Sequence, residues 1–226
     1  MHHANSRSAG RDRRLRVRTA IGCSVVAALG LAACSGGGSG SADKPTTTIS
    51  HNTRVYVPLG DVAADSAGPP ATVTPEQSQA VLGVVTTYVN DAIVQPLRSG
   101  KPATADPAAV FDPTTLTPAT TTDRGVVFDE GLPKVTGDLD VVSSPVALLG
   151  LADQGGNLAL ISAITVVDVK AQTAAKGNSL HIVRRADFVL APDSTGAWKV
   201  TSYNMVVTRD GAGLSPTTTT TTGAAK

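Results

Sequence analysis

The spacing of apolar residues changes at Lys134, and this change constrains the fold more than any other feature of the sequence. Upstream, one segment repeats apolar residues three and four positions apart, which is the spacing of one helix face. Downstream, apolar and polar residues alternate over long runs, as in strands with one buried face. One helix followed by consecutive strands predicts an α+β domain built on an antiparallel sheet.

The helix is predicted to span residues 74–95. Thr74 is a favourable N-cap, Pro75 suits the first helical position, and Gln77 completes a capping box with Thr74. Pro96 is expected to end the helix, because proline offers no N–H to the helical hydrogen bonds. The stripe predicted to be buried comprises Val81, Val84, Val85, Tyr88, Val89, Ala92 and Ile93.

The alternating part of the chain predicts five strands, separated by turns rich in Gly, Asn and Asp. Their predicted ranges are 135–142, 145–152, 157–171, 179–191 and 197–209. The last three exceed the usual length of roughly five or six residues, so a strongly twisted or bulged sheet is expected. We expect Phe188, on the apolar face of the fourth strand, to meet Val85 and Val89 of the helix. Arg184 interrupts that apolar face.

Residues 1–33 carry a basic segment and then an apolar one. They contain six Arg and one Asp, so the rest of the chain is mildly acidic although the whole has a net charge of +1. The apolar run Thr19–Leu31 is too short to span a hydrocarbon core of about 30 Å. It leads directly into Leu31-Ala32-Ala33-Cys34. These features predict a leader that is removed on export.

The tetrapeptide Leu31-Ala32-Ala33-Cys34 resembles the bacterial lipobox, in which small residues precede a cysteine that is acylated through its thiol. The resemblance implies that residues 1–33 are a signal peptide and that Cys34 is the lipidation site. It also implies a lipoprotein anchored on the extracytoplasmic side of the cell membrane. An ordinary signal peptide, or a short membrane anchor with an incidental cysteine, is the alternative. Cys23 would leave with the leader, so no intramolecular disulfide is expected.

The remaining segments are assigned by composition. Residues 34–73 are predicted to be the lipidated cysteine and a flexible tether rich in Gly, Ser and Thr, although Arg54–Val57 alternates like a short strand. Residues 74–211 form the folded domain in this prediction. The tail, residues 212–226, is predicted to be disordered, because it contains six consecutive Thr and no apolar anchor.

The predicted order of elements resembles the NTF2-like, cystatin-like α+β cone of many small secreted or lipid-anchored actinobacterial proteins. The matching parts are the capped helix 74–95, the approach to the sheet over 123–133, and the closing hairpin through Trp198-Lys199-Val200. The resemblance covers about residues 74–211 and implies one long amphipathic helix packed on a curved antiparallel sheet. That fold hosts enzymes such as ketosteroid isomerase, binding modules and membrane-associated assembly subunits, so it does not decide the function.

One group of side chains suggests chemistry. His181, Arg185 and Asp187 alternate along one face of a predicted strand, with Asp168 and Tyr203 on the neighbouring strands. A pocket enzyme of the isomerase or cyclase type would use Asp187 or Asp168 as a base opposite Tyr203. The favoured interpretation is that these residues lie on the solvent-facing side of the sheet, where opposite charges pair across strands.

Other chemical signals are weak. Asp129 and Glu130 are expected to form a solvated turn before Gly131. His181 is the only histidine of the predicted domain, so no metal ligand set is predicted, and neither a cofactor motif nor a catalytic motif is found. An aromatic content of 3% and a net charge of +1 disfavour a nucleic-acid partner.

These observations favour a non-catalytic module of the cell envelope. Its expected partners are the membrane, through the lipid anchor, and either an envelope protein or a small apolar ligand. The alternatives are the small pocket enzyme and a purely structural envelope protein. A core packed solid with apolar side chains would favour the non-catalytic role, whereas a polar cluster inside the cone would favour the enzyme.

Overall fold

The computed structural model describes residues 54–64, 71–174, 178–211 and 214–224. These residues form an α+β unit in which a long helix packs on a mixed, open, seven-stranded sheet. The predicted signal peptide, Cys34 and the tether up to residue 53 lie outside the described residues. None of the helices in the described ranges is long and apolar enough to cross a membrane.

The strands follow the order β1-β3-β4-β5-β6-β7, with β2 beside β4. All neighbours are antiparallel except β1 and β3, which are parallel. The strands are β1 (Leu59–Ala64), β2 (Val135–Ser143), β3 (Val146–Ala152), β4 (Leu158–Thr173), β5 (Ser179–Pro192), β6 (Trp198–Gly211) and β7 (Leu214–Ala224).

The five predicted strands are confirmed, with ends that differ by no more than a few residues. Strands β2 and β3 pair with consecutive parts of β4, so they run along the same edge of that long strand. Ser144 maintains the pairing at the interruption between them. Its N–H donates to the carbonyl of Val166 at 2.8 Å, and its Oγ accepts from the N–H of Val166 at 2.9 Å.

The long helix consists of α1 (Pro75–Tyr88), a π-helical segment (Val89–Val94) and α2 (Gln95–Ser99), which run on without a break over 25 residues. The predicted capping box is confirmed. The N–H of Gln77 donates to Thr74 Oγ1 at 3.2 Å, and the N–H of Thr74 donates to Gln77 Oε1 at 2.8 Å.

The prediction that Pro96 ends the helix is wrong, because the helix continues past it to Ser99. Proline cannot donate to the carbonyl four residues earlier, which here belongs to Ala92. That carbonyl accepts instead from the backbone N–H of Asp129, at 3.0 Å. The helix ends where Gly100 adopts a left-handed conformation, with φ of +65°.

Three short helices lie between the long helix and β2. A 3₁₀ turn (Pro107–Ala109) and α3 (Pro113–Thr120) begin at Asp106 and Asp112, whose side chains accept from backbone N–H groups. The third is α4 (Arg124–Val127). Together with the long helix they cover the side of the sheet on which the core lies.

The core brings helix and sheet together. Val85, Val89 and Phe188 are buried in one cluster of apolar side chains. The direct ring contact is made by Tyr88, whose ring meets Phe188 edge-on with centroids 5.1 Å apart. The same ring lies 6.3 Å from Phe111, also edge-on. The long helix therefore covers the centre of the sheet.

Two segments depart from the compositional predictions. The tail was expected to be disordered, but Leu214–Ala224 forms β7 and pairs with β6. Threonine is β-branched and favours strands, so its polarity alone did not determine the state of this segment. Leu59–Ala64, within the predicted tether, forms β1, and Val57 beside it is buried. The folded unit therefore extends beyond residues 74–211 at both ends.

Candidate functional site

The outer face of the sheet carries the charged residues singled out in the sequence. Along β5, inward positions are buried and outward positions are partly exposed. His181 Nε2 lies 3.0 Å from Asp168 Oδ1, and His181 Nδ1 lies 3.7 Å from Asp210 Oδ2. Lys170 adds a longer contact to Asp168, at 3.8 Å. His181 therefore sits in a partly solvated charge network between β4, β5 and β6.

The other charged pair on this face is formed within β5. Arg185 Nε donates to Asp187 Oδ1 at 3.1 Å, and Arg185 Nη2 donates to Asp187 Oδ2 at 3.3 Å. Both side chains keep a large part of their surface in solvent. The interpretation that His181, Arg185 and Asp187 face solvent is confirmed.

Tyr203 lies on the opposite, buried face of the sheet, where it neighbours Phe188 in the strand register. Its hydroxyl donates to Asp123 Oδ2 at 2.7 Å. Burial, together with the nearby Asp123 carboxylate, raises the pKa of Tyr203 above its ordinary value. Asp168 and Asp187 are separated from this tyrosine by the sheet, so the proposed pairing of a carboxylate base with Tyr203 is not assembled.

The chemistry inside the core centres on Arg184 and Asp129. Their side chains are 1% and 0% exposed, and Arg184 Nη2 lies 2.9 Å from Asp129 Oδ1. Arg209 approaches the same oxygen, since its Nε and Nη2 donate to Asp129 Oδ1 at 3.0 and 2.7 Å. The predicted solvated turn at Asp129-Glu130 is therefore wrong, and Asp129 is shared by two guanidinium groups.

Arg184 Nη1 points to the end of the short helix α4. It donates to the carbonyls of Val126 and Val127 and, at 3.0 Å, to Tyr88 Oη. Tyr88 Oη in turn donates to the carbonyl of Val127, at 2.8 Å. Burial raises the pKa of Tyr88 to about 12, with the Arg184 charge acting in the opposite direction. Tyr88 is thus a neutral hydrogen-bonding group at physiological pH.

The charge of Arg184 is maintained in spite of its burial. Burial alone would lower the pKa of the guanidinium, but Asp129 and Tyr88 outweigh that effect and raise it. Asp129 Oδ2 and the Nε and Nη2 of Arg184 have no hydrogen-bond partner among the described residues. Arg184 Nη2 and Asp129 Oδ1 are therefore close enough for an ion pair but lack the geometry of a hydrogen bond. The cluster ties the 124–129 segment to β5 and β6.

Glu130 also has a structural role. Its carboxylate accepts from Arg124 through Nε and Nη2, both at 2.8 Å, and from the N–H of Ala103, also at 2.8 Å. Sequence reasoning missed these partners because each lies far along the chain or on another element. In the sequence, only Arg184 indicated a buried polar cluster, since an inward-facing cation on an apolar strand requires a buried acceptor.

A small indentation lies between the long helix and the segment before α3. Its lining includes Ala92, Ala103, Val110, Phe111 and Phe128, and it has a cavity volume of about 10 Å³. This volume accommodates about one water molecule. Among the described residues, no group of three His, Cys, Asp or Glu side chains is arranged to hold a metal ion.

The outer face of the sheet also carries apolar side chains. Ile164 and Val166 on β4, Val183 and Val189 on β5 and Val206 on β6 all alternate with buried positions and are only partly exposed. They lie among the Arg185–Asp187 pair and the His181 network.

No family model matches the chain, and no curated protein or solved structure was found to be similar to it.

Proposed function

We propose that this protein is a lipoprotein, anchored through acylated Cys34 on the extracytoplasmic side of the cell membrane. Its folded unit is a cone of the NTF2-like type that binds a partner protein of the cell envelope without catalysis. The observation that carries the binding role is the outer face of the sheet, where partly exposed apolar side chains are interspersed with charged pairs. Non-obligate protein interfaces have a mixed apolar and polar composition of this kind.

The arrangement of the polar residues supports binding over catalysis. The carboxylates suggested as bases lie on the outer face, whereas Tyr203 is buried on the inner face. The buried carboxylate, Asp129, is occupied by Arg184 and Arg209. The indentation beside Phe111 holds about one water, which is too little for an organic substrate or ligand.

Two observations support the proposal of a cone: a long helix precedes the antiparallel strands β2 to β6, and β4, β5 and β6 span 14 to 16 residues each. The anchor is supported by Leu31-Ala32-Ala33-Cys34 at the end of an apolar run. The parallel edge strand β1 and the C-terminal strand β7 add to the helix and the five strands that were expected.

The anchor is tested by metabolic labelling with a fatty acid. The wild-type chain should incorporate the label and fractionate with membranes, and Cys34→Ala should do neither. Cys23→Ala is the matched control, because this cysteine is predicted to leave with the leader, and it should behave as wild type. A wild-type chain that remains unlabelled and soluble would contradict the proposal.

The binding role is tested by site-specific photocrosslinking in intact membranes. A photoreactive residue at Val189, on the outer face, should give a discrete crosslinked species. The same residue at Gly83, which is exposed on α1 with open space around it, should give none. Crosslinking that is equal at both positions, or absent from Val189, would show that the outer face is not the binding surface.

A further inference from the structure

We propose that three exposed apolar side chains, Tyr56 just before β1 and Leu59 and Val62 on β1, lie against the lipid bilayer. We refer to these three residues as the apolar edge. The inference rests on the proposed lipoprotein function and adds an orientation to it. The anchor would hold the domain near the membrane, and the apolar edge would determine which side of the domain faces the lipid.

The apolar edge is unusual in its exposure. Tyr56, Leu59 and Val62 expose 79%, 37% and 44% of their surface. Only one other large apolar residue of the described chain is comparably exposed, Val142 at 61%. Three of these four side chains therefore fall within seven consecutive residues.

The register explains why Leu59 and Val62 are uncovered. Leu59 pairs with Val146 and Val62 pairs with Leu148, and both partners are buried. Paired residues of neighbouring strands share a face of the sheet, so Leu59 and Val62 lie on the face that carries the core. Strand β1 ends the order of the described sheet, so these side chains have no further strand beside them.

The position of the apolar edge in the chain favours lipid as its partner. Tyr56 follows Cys34 by only 22 residues. The flexible tether predicted from the composition of this segment would have a root-mean-square reach of roughly 25 Å. Tethering of this kind gives an effective concentration in the millimolar range, so even a weak contact with the bilayer is occupied. No other apolar patch on the described surface is so close to the anchor along the chain.

The side chains suit the interface between water and lipid. Tyrosine has an apolar ring and a polar hydroxyl, and it is enriched at membrane interfaces. Arg54 is exposed just before Tyr56, where it would meet anionic headgroups, and Asp61 on β1 offsets its charge. The contact is therefore expected to depend mainly on apolar burial and only weakly on salt.

The test uses the full, acylated chain in vesicles whose phospholipids carry brominated acyl chains, which quench tryptophan emission on contact. Trp198→Phe removes the native tryptophan. In that background, Tyr56→Trp should lose most of its emission in brominated vesicles compared with unbrominated ones. Thr220→Trp, on β7 at the opposite edge of the sheet, should be unaffected. Replacing Leu59 and Val62 by Ser in the Tyr56→Trp chain should restore the emission.

The possible failures are distinguishable, because fatty-acid labelling is measured on the same preparation. A labelled protein with no quenching at position 56 would overturn this inference while leaving the lipoprotein proposal intact. An unlabelled protein would overturn the proposed function itself. A labelled protein whose emission at position 56 changes with protein density, without quenching by bromine, would show that the apolar edge binds a second copy of the chain and would also overturn the inference.

Discussion

Arg184 and Asp129 form an ion pair with 2.9 Å between Nη2 and Oδ1, and neither side chain reaches water. Asp129 follows α4, and Arg184 lies in the middle of β5, so the pair connects a loop to the centre of the sheet. The backbone of Asp129 makes a second connection, since its N–H donates to the carbonyl of Ala92 in the π-helical segment. One residue thus joins the helix, the loop and the sheet.

The first prediction concerns this buried pair. Asp129→Ala should lower the free energy of unfolding by about 3–5 kcal/mol, because it leaves the Arg184 charge buried without a carboxylate. The matched control is Asp187→Ala, which removes a carboxylate from a solvent-exposed pair on the other face of β5 and should cost less than about 1 kcal/mol. Urea unfolding followed by circular dichroism measures both values. Equal losses in the two variants would show that Asp129 is not buried with Arg184.

The second prediction concerns the contact between helix and sheet. Phe188→Ala should lower the free energy of unfolding by about 3–5 kcal/mol, since it removes a buried ring and leaves a cavity beside Tyr88. Val89→Asp should prevent folding, because it would bury a charge that has no available partner.

The control for the helix is Gly83→Asp. Gly83 is exposed on α1, and a side chain there would meet open space, so the variant should fold. Circular dichroism and one-dimensional proton NMR compare the three variants. A folded Val89→Asp protein would show that the long helix does not cover the sheet.

The third prediction concerns strand β7. Gly223 lies so close to Tyr203 that an added Cβ would overlap Tyr203 Cζ and would be 2.6 Å from its hydroxyl oxygen. Gly223→Val should therefore detach the end of β7. It should also make the Thr-rich segment susceptible to limited proteolysis.

Removing β7 by truncation, and measuring the melting temperature, tests the pairing of this strand independently. A chain that ends at Gly211 loses the pairing of β7 with β6, and cross-strand pairs contribute roughly 0.2–1 kcal/mol each. The melting temperature should therefore fall. Thr220→Ser keeps a hydroxyl at an exposed position of β7 and should leave the melting temperature close to wild type. Unchanged stability on truncation would restore the expectation of a disordered tail.

The parts of the fold that sequence patterns predicted correctly are those determined by local chemistry. The capping box at Thr74 involves residues three positions apart, and the alternation in β4 and β5 marks which side chains are buried. Both signals are contained in short windows of sequence. The helix start, the five strands and the solvent-facing position of His181, Arg185 and Asp187 were predictable for this reason.

The parts that were missed depend on distant partners. Pro96 ends a helix by the local rule, but the Asp129 N–H binds the Ala92 carbonyl that Pro96 leaves without a donor. Asp129 looked solvated because its neighbour is Glu130, whereas its ion-pair partners are Arg184 and Arg209 on two strands. A strand made mostly of threonine forms only because the edge of β6 is available to pair with it.

The last prediction concerns pH. The pKa of Tyr88 is raised from 10.0 to about 12, mainly because burial opposes the charged form. The unfolded chain therefore loses this proton at a lower pH than the folded one. The stability that Tyr88 contributes is fully present below pH 10 and is lost as the pH rises towards 12, by about 2–3 kcal/mol. Tyr88→Phe removes this proton, so the variant should lose less stability than wild type between those two pH values.

At pH 7 the variant should be destabilised by roughly 1–3 kcal/mol, because Arg184 and the Val127 carbonyl each lose a partner. Urea unfolding across the pH range, with a Tyr56→Phe control at an exposed tyrosine, distinguishes the two effects. Parallel alkaline losses in wild type and Tyr88→Phe would mean that Tyr88 does not titrate as a buried phenol.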